Sequence, residues 1–107
     1  MDSAPPPADI RARLRSALAK TYGKRLARAV LFGSRARGDA RPDSDYDVAV
    51  FLTKTEGLWR ESGRLADIGS TILADTGAIV NALPFPVEAY EARTPLMSEL
   101  RRDGLDL

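Results

Sequence analysis

The stretch LFGSRARGDARPDSDYDVAVFL, from Leu31 to Leu52, decides how the chain is read. A glycine-serine turn, Gly33-Ser34, lies between two apolar runs, and Asp39, Asp43, Asp45 and Asp47 crowd the approach to the second. The first run, AVLFG, is short, apolar and closed by glycine, which predicts a buried strand. The second, YDVAVFL, is β-branched and aromatic, and its near-continuous apolarity predicts a strand covered on both faces. SRARGDARPDSD between them is turn and loop chemistry, in which Ser34 opens at most one helical turn before Gly38 breaks it.

Asp45 and Asp47 stand at i and i+2 leading into the second strand. Successive strand side chains alternate in direction, so both carboxylates project from one face and Tyr46 from the other. Two such carboxylates repel unless a cation sits between them, and a shell of oxygens completed by water and phosphate is what Mg²⁺ prefers. The plainer alternative is an Asp-rich turn whose side chains bond their own backbone, and that reading is kept for Asp39 and Asp43. Glycine at 33 lets backbone approach a ligand closely. The hydroxyl and N–H groups of Ser34 suit phosphate oxygens. By ordinary residue usage, Gly-Ser followed after ten residues by Asp-x-Asp arises by chance in roughly one chain in several hundred.

The remainder of the chain limits the chemistry. Its 107 residues provide for one domain, expected over residues 9–107 after a flexible, proline-rich lead-in over residues 1–8. With 44% hydrophobic and 29% charged residues it has the composition of a globular protein. It has no cysteine and no histidine, so disulfides, thiolate or imidazole metal sites and Ser-His-Asp triads are excluded. The missing cysteines fit a reducing compartment, and the expected location is cytoplasmic. No apolar run approaches the roughly 20 residues needed to span a bilayer, so no membrane association is expected. Between Arg11 and Arg41 ten Lys or Arg face a single acid, Asp39. This is either a surface that attracts phosphate or, for its helical part, an ordinary solvated face.

Ile10, Leu14, Ala17, Leu18 and Tyr22 fall at helical spacing, predicting a helix over 9–22 with Asp9 as N-cap and Gly23 as stop. A second helix is expected from about Leu58 to Asp75, with a stripe of Leu58, Leu65, Ile68, Ile72 and Leu73 bordered by Trp59. Thr53 to Glu56 supply a capping box and Gly77 an end cap. AIVNAL is a third strand, stopped by Pro84 and Pro86. The tail reads as helix, Thr-Pro start signal and helix, with Pro95 in a first helical position and Gly104 at the end. The fold class is therefore α/β (α+β), a small mixed sheet packed by helices.

At Gly33, Ser34, Asp45 and Asp47 the sequence resembles the nucleotidyltransferase superfamily of DNA polymerase beta-like enzymes. More closely it is similar to the minimal nucleotidyltransferases (MNT), single-domain antitoxins of HEPN-domain toxins. The helix-strand order agrees along nearly the whole chain, and the tail RTPLMSELRRDGLDL also resembles theirs. The resemblance implies that Gly33 and Ser34 hold the β- and γ-phosphates of ATP, with Arg35 and Arg37 beside them. It also implies that Asp45 and Asp47 bind catalytic Mg²⁺ and that AMP passes to a tyrosine of the HEPN toxin. Direct nucleic-acid binding is not expected. Active members usually carry a third carboxylate on the next strand, where this chain offers Asn81. Glu88 or a partner residue is a substitute acid, and Asn81 is alternatively a polar strand end without a role. A second reading is an antitoxin that acts by occlusion, with LPFPVEAY, Leu96 and Met97 forming its surface unless they pack on the domain's own sheet. A third is a transferase acting alone on a small molecule or an RNA end.

Overall fold

A computed structural model describes residues 7–107. The elements are α1 (Pro7–Tyr22), β1 (Leu26–Phe32), α2 (Ser34–Arg37), β2 (Tyr46–Leu52), α3 (Leu58–Thr76), β3 (Val80–Pro86), α4 (Pro95–Asp103) and β4 (Leu105–Asp106). Most of the expected lead-in lies outside the described residues; Pro7 and Ala8 belong to α1. Asp9 therefore sits inside the first turn, one of the positions where proline at the start can precede it because the leading N–H groups have no helical partner.

The sheet runs β3-β2-β1-β4. β1 pairs antiparallel with β2 and β4, and β2 pairs parallel with β3, so the sheet is mixed as expected. Central β2 is covered on both sides, with Val48, Ala49, Val50 and Phe51 fully buried. Tyr46, Val48, Val50 and Leu52 face α1 and α3, packing with Leu14, Leu18, Leu65 and Ile72. Ala49 and Phe51 face α4, packing with Val30, Met97 and Leu100. Phe85, Tyr90 and Leu96 close this second layer. Phe51 stacks on Phe85 and meets Tyr90 edge-on, with ring centroids 5.5 and 5.3 Å apart. The aromatics of LPFPVEAY are thus largely internal packing.

Three details differ from the sequence reading. β3 runs through both prolines, pairing Pro84 with Val50 and Pro86 with Leu52. The Tyr46 N–H donates to the Ile79 carbonyl, so odd-numbered residues of this strand turn their backbone groups to β2. Pro84 and Pro86 point theirs at the open edge, where a missing N–H costs no ladder bond. α3 begins after Gly57 with no side-chain cap, because Glu56 pairs with Arg64 instead of closing a capping box. Its Leu58 and Leu73 are about half exposed and Trp59 is 93% exposed, so the buried stripe is narrower than the periodicity implied. The first tail helix is a 3-10 turn, Val87–Glu91. The second follows expectation: Thr94 accepts from the Met97 N–H and Pro95 starts the helix.

Among the described residues one charge is fully buried. Glu61, on α3, accepts from Arg25 at 2.8 Å, from Arg64 at 3.0 Å and from the Glu56 N–H at 3.0 Å, tying α3 to the segment before β1. Burial alone pushes this carboxyl up, but the hydrogen bonds from Arg25, the Glu56 N–H and Arg64 outweigh it and hold it below its ordinary 4.5. Beside it the Tyr22 hydroxyl is pushed up to about 12, chiefly by burial and then by the Glu61 charge. A depressed carboxyl stabilises the fold above its unfolded value and ceases to as pH falls through the folded one. The urea midpoint is therefore expected to drop as pH is lowered below 4.5, and again in alkali as Tyr22 titrates between 10 and about 12. Glu61→Ala should cost about 3 kcal/mol, at the low end for a broken buried pair because both arginines reach water. Its acid limb should flatten, which urea titrations across pH will check.

Candidate active site

The site lies at the end of the sheet where β1 leaves and β2 enters. Gly33 adopts φ +75°, a left-handed conformation that turns the chain sharply out of β1. Its carbonyl accepts from the Ala36 and Arg37 N–H groups, both at 3.1 Å, which closes the single turn of α2. The N–H groups of Ser34 and Arg35 have no backbone partner among the described residues. They and the half-buried Ser34 hydroxyl line a small cradle at the turn.

Antiparallel register sets Phe32 opposite Asp47, so Gly33 passes directly over the Asp47 carboxylate. A Cβ added to Gly33 would lie 2.6 Å from Asp47 Oδ2, closer than any methyl group can approach. Asp45 precedes β2 by one residue, and Tyr46, only 5% exposed, points into the opposite core. The alternation expected from i, i+2 spacing is therefore present. On the other flank, parallel register sets Asn81 opposite Asp47. Its Nδ2 donates to Asp45 Oδ2 at 2.8 Å and Asp47 Oδ1 at 3.4 Å. One amide reaching both carboxylates means that their oxygens converge on a common point.

These donors fit a hard divalent cation. They are all oxygen, two carry charge, and Asn81 can turn its amide to present an oxygen. Among the described residues no group of three acids, histidines or cysteines is placed to share a metal, so the site's charge comes from two carboxylates. Glu88 is no substitute. It follows β3 at the end paired with Leu52, roughly 16 Å along the strand from Asp47 at the usual rise per residue.

The two arginines diverge. Arg37 makes only long contacts, 3.4 Å each, with Asp39 and Glu99, and stays solvent-exposed beside the cradle. Arg35 is directed at the aspartate loop, with Nε and Nη2 donating to the Ser44 carbonyl and Nη2 also to that of Pro42. No sequence signal points to this loop contact, because carbonyl acceptors are common to every residue. The wider basic stretch is partly neutralised within the fold: Arg13 pairs with Asp75 and Arg25 with Glu61.

Residues 11–91 match the nucleotidyltransferase domain family, and the chain belongs to it. Among solved structures, a minimal nucleotidyltransferase is 27% identical, with a TM-score of 0.61 and 94% of each chain covered. A toxin-antitoxin with AMP-PNP superposes with a TM-score of 0.65 at 19% identity, covering 89% of this chain and 69% of that one. A variant of the toxin-antitoxin MntA-HpeT gives 0.63 at 20% identity, covering 91% and 70%. No curated protein sequence matches the chain. The nucleotidyltransferase fold and family expected from Gly33 to Asp47 are thus borne out. None of the described helices is long and apolar enough to cross a membrane.

Gly33→Ala should cost about 1–3 kcal/mol through backbone strain and displace the Asp47 carboxylate. The expected outcome is a protein that is still folded by circular dichroism, with a urea midpoint lowered to match.

Proposed function

We propose that this chain is a Mg²⁺-dependent nucleotidyltransferase that moves AMP from ATP to a hydroxyl, a tyrosine of a HEPN-domain toxin, and serves as that toxin's antitoxin. The observation that carries this reading is the convergence of Asp45 and Asp47 beneath the Gly33-Ser34 turn, bridged by Asn81. Family membership supports the reaction class. The toxin-antitoxin neighbour with AMP-PNP supports an adenine nucleotide and a protein partner.

In this reading the Ser34 hydroxyl and the Ser34 and Arg35 N–H groups hold the β- and γ-phosphates over Gly33, with Arg37 adding charge from the rim. Asp45 and Asp47 hold Mg²⁺. When bound, the metal offsets the charge that builds up during in-line displacement at the α-phosphorus. The acceptor oxygen bonds to that phosphorus as the bond to the pyrophosphate oxygen breaks, and the acceptor's proton leaves to a carboxylate or to water. Positioning and charge neutralisation suffice for this chemistry, so a chain without histidine can perform it.

Asn81 sustains a second reading. A neutral amide in register with Asp47 takes no proton and adds no charge, which favours an antitoxin that binds nucleotide but neutralises its partner by occlusion. The two readings differ in what they leave on the partner. Incubating the protein with ATP, Mg²⁺ and the product of the adjacent gene should add AMP mass to that product. A partner that is inhibited yet unmodified would establish occlusion.

Asp45→Asn with Asp47→Asn should abolish Mg²⁺-dependent ATP binding, since relief of like-charge repulsion cannot replace ligation; unchanged affinity in calorimetry would refute the site. Asn81→Asp, by restoring a base, should accelerate AMP transfer on the order of a hundredfold. Mass spectrometry of timed reactions will measure it.

A further inference from the structure

We infer that the Arg35 guanidinium positions the metal-binding carboxylates and is not itself a phosphate ligand, whatever its backbone N–H does, an inference that rests on the metal site proposed above. Four contacts define its place. Nε and Nη2 reach the Ser44 carbonyl at 3.2 and 2.8 Å, and Nη2 reaches the Pro42 carbonyl at 3.2 Å. The guanidinium carbon lies 4.3 Å from the centre of the Tyr46 ring. Ser44 and Tyr46 are the two neighbours of Asp45, so one side chain grips the backbone before this aspartate and the ring after it. With both neighbours held, the Asp45 backbone torsions are held too, and with them the direction in which its side chain leaves the chain.

The grip also joins two parts of the site that the chain separates. Arg35 belongs to α2, which opens at the cradle, whereas Pro42, Ser44 and Tyr46 belong to the aspartate loop and strand. The loop is shaped for it: the Ser44 N–H donates to the Arg41 carbonyl at 3.0 Å, and the Arg41 N–H to the Ser44 hydroxyl at 2.8 Å. That closed turn directs the Pro42 and Ser44 carbonyls at one guanidinium edge. Tyr46 is anchored in the core shared with α1 and α3, so the surface on which Arg35 stacks is rigid. A phosphate bound through that same edge would have to displace three hydrogen bonds. Lysine cannot replace this residue, because a point charge neither forks to two carbonyls nor stacks flat on a ring.

The test reads metal affinity without nucleotide, so phosphate contacts play no part. Mn²⁺ binding is followed by electron paramagnetic resonance in the natural protein, Arg35→Ala and Arg35→Lys, with thermal midpoints measured alongside. The expected result is Mn²⁺ affinity roughly tenfold or more weaker in both variants, as for other residues that orient metal ligands, with thermal midpoints close to the natural one. Should Arg35→Ala fail to fold, Tyr46→Leu keeps an apolar core residue, removes the stacking surface, and is expected to weaken Mn²⁺ likewise. Natural Mn²⁺ affinity in the folded variants overturns the inference and leaves the metal site standing. No Mn²⁺ binding by the natural protein overturns the metal site and this inference together.

Discussion

The whole site depends on how closely the backbone at Gly33 passes the carboxylate of Asp47. Because a methyl group there would lie 2.6 Å from a carboxylate oxygen, the turn leaving β1 and the strand entering as β2 are a single contact surface. Three features converge to make it. The β1/β2 register places Phe32 opposite Asp47, the left-handed torsion of Gly33 turns the chain immediately afterwards, and the buried β2 cannot slide to relieve the contact. A slip of one residue would turn Tyr46 out of its core and both aspartates into it, a cost no small domain can absorb.

Burial of β2 on both faces fixes the register, and the register aligns the chemistry. Two hydrophobic layers, one under α1 and α3 and one under α4, hold alternate residues of the same strand. Asp45 and Asp47 continue the α4-facing set beyond the edge of its apolar layer, where side chains reach water. Asn81 arrives by the same logic through the parallel pairing with β3. The fold thus delivers two acids and an amide to one point at the end of its paired strands. The amide calms two like charges through hydrogen bonds but adds neither charge nor basicity.

What was legible in the sequence follows the strength of local signals. Alternation at Asp45, Tyr46 and Asp47 revealed which side chains share a face, and the left-handed glycine at the turn was readable from its position between strands. Gly77 and Pro95 marked their helix boundaries because each answers a backbone demand within its own turn. Pro84 and Pro86 misled, since the rule that proline ends a strand fails on an edge where its nitrogen faces outward. The two-residue β4 has no readable period and exists only because β1 offers an open side. Arg35 is set beside the phosphates by the family resemblance. Its contacts with Pro42 and Ser44 carbonyls depend on how the loop folds back, which no residue type encodes.

The central claim is that Asp45 and Asp47 jointly bind a divalent metal against a nucleotide seated on the Gly33-Ser34 turn. Its most direct measurement is a crystal structure of the chain with Mg²⁺ and a non-hydrolysable ATP analogue. The account predicts metal density touching an oxygen of each aspartate, with phosphates over the turn. A nucleotide bound elsewhere, with the two carboxylates still engaged only by Asn81, would contradict it.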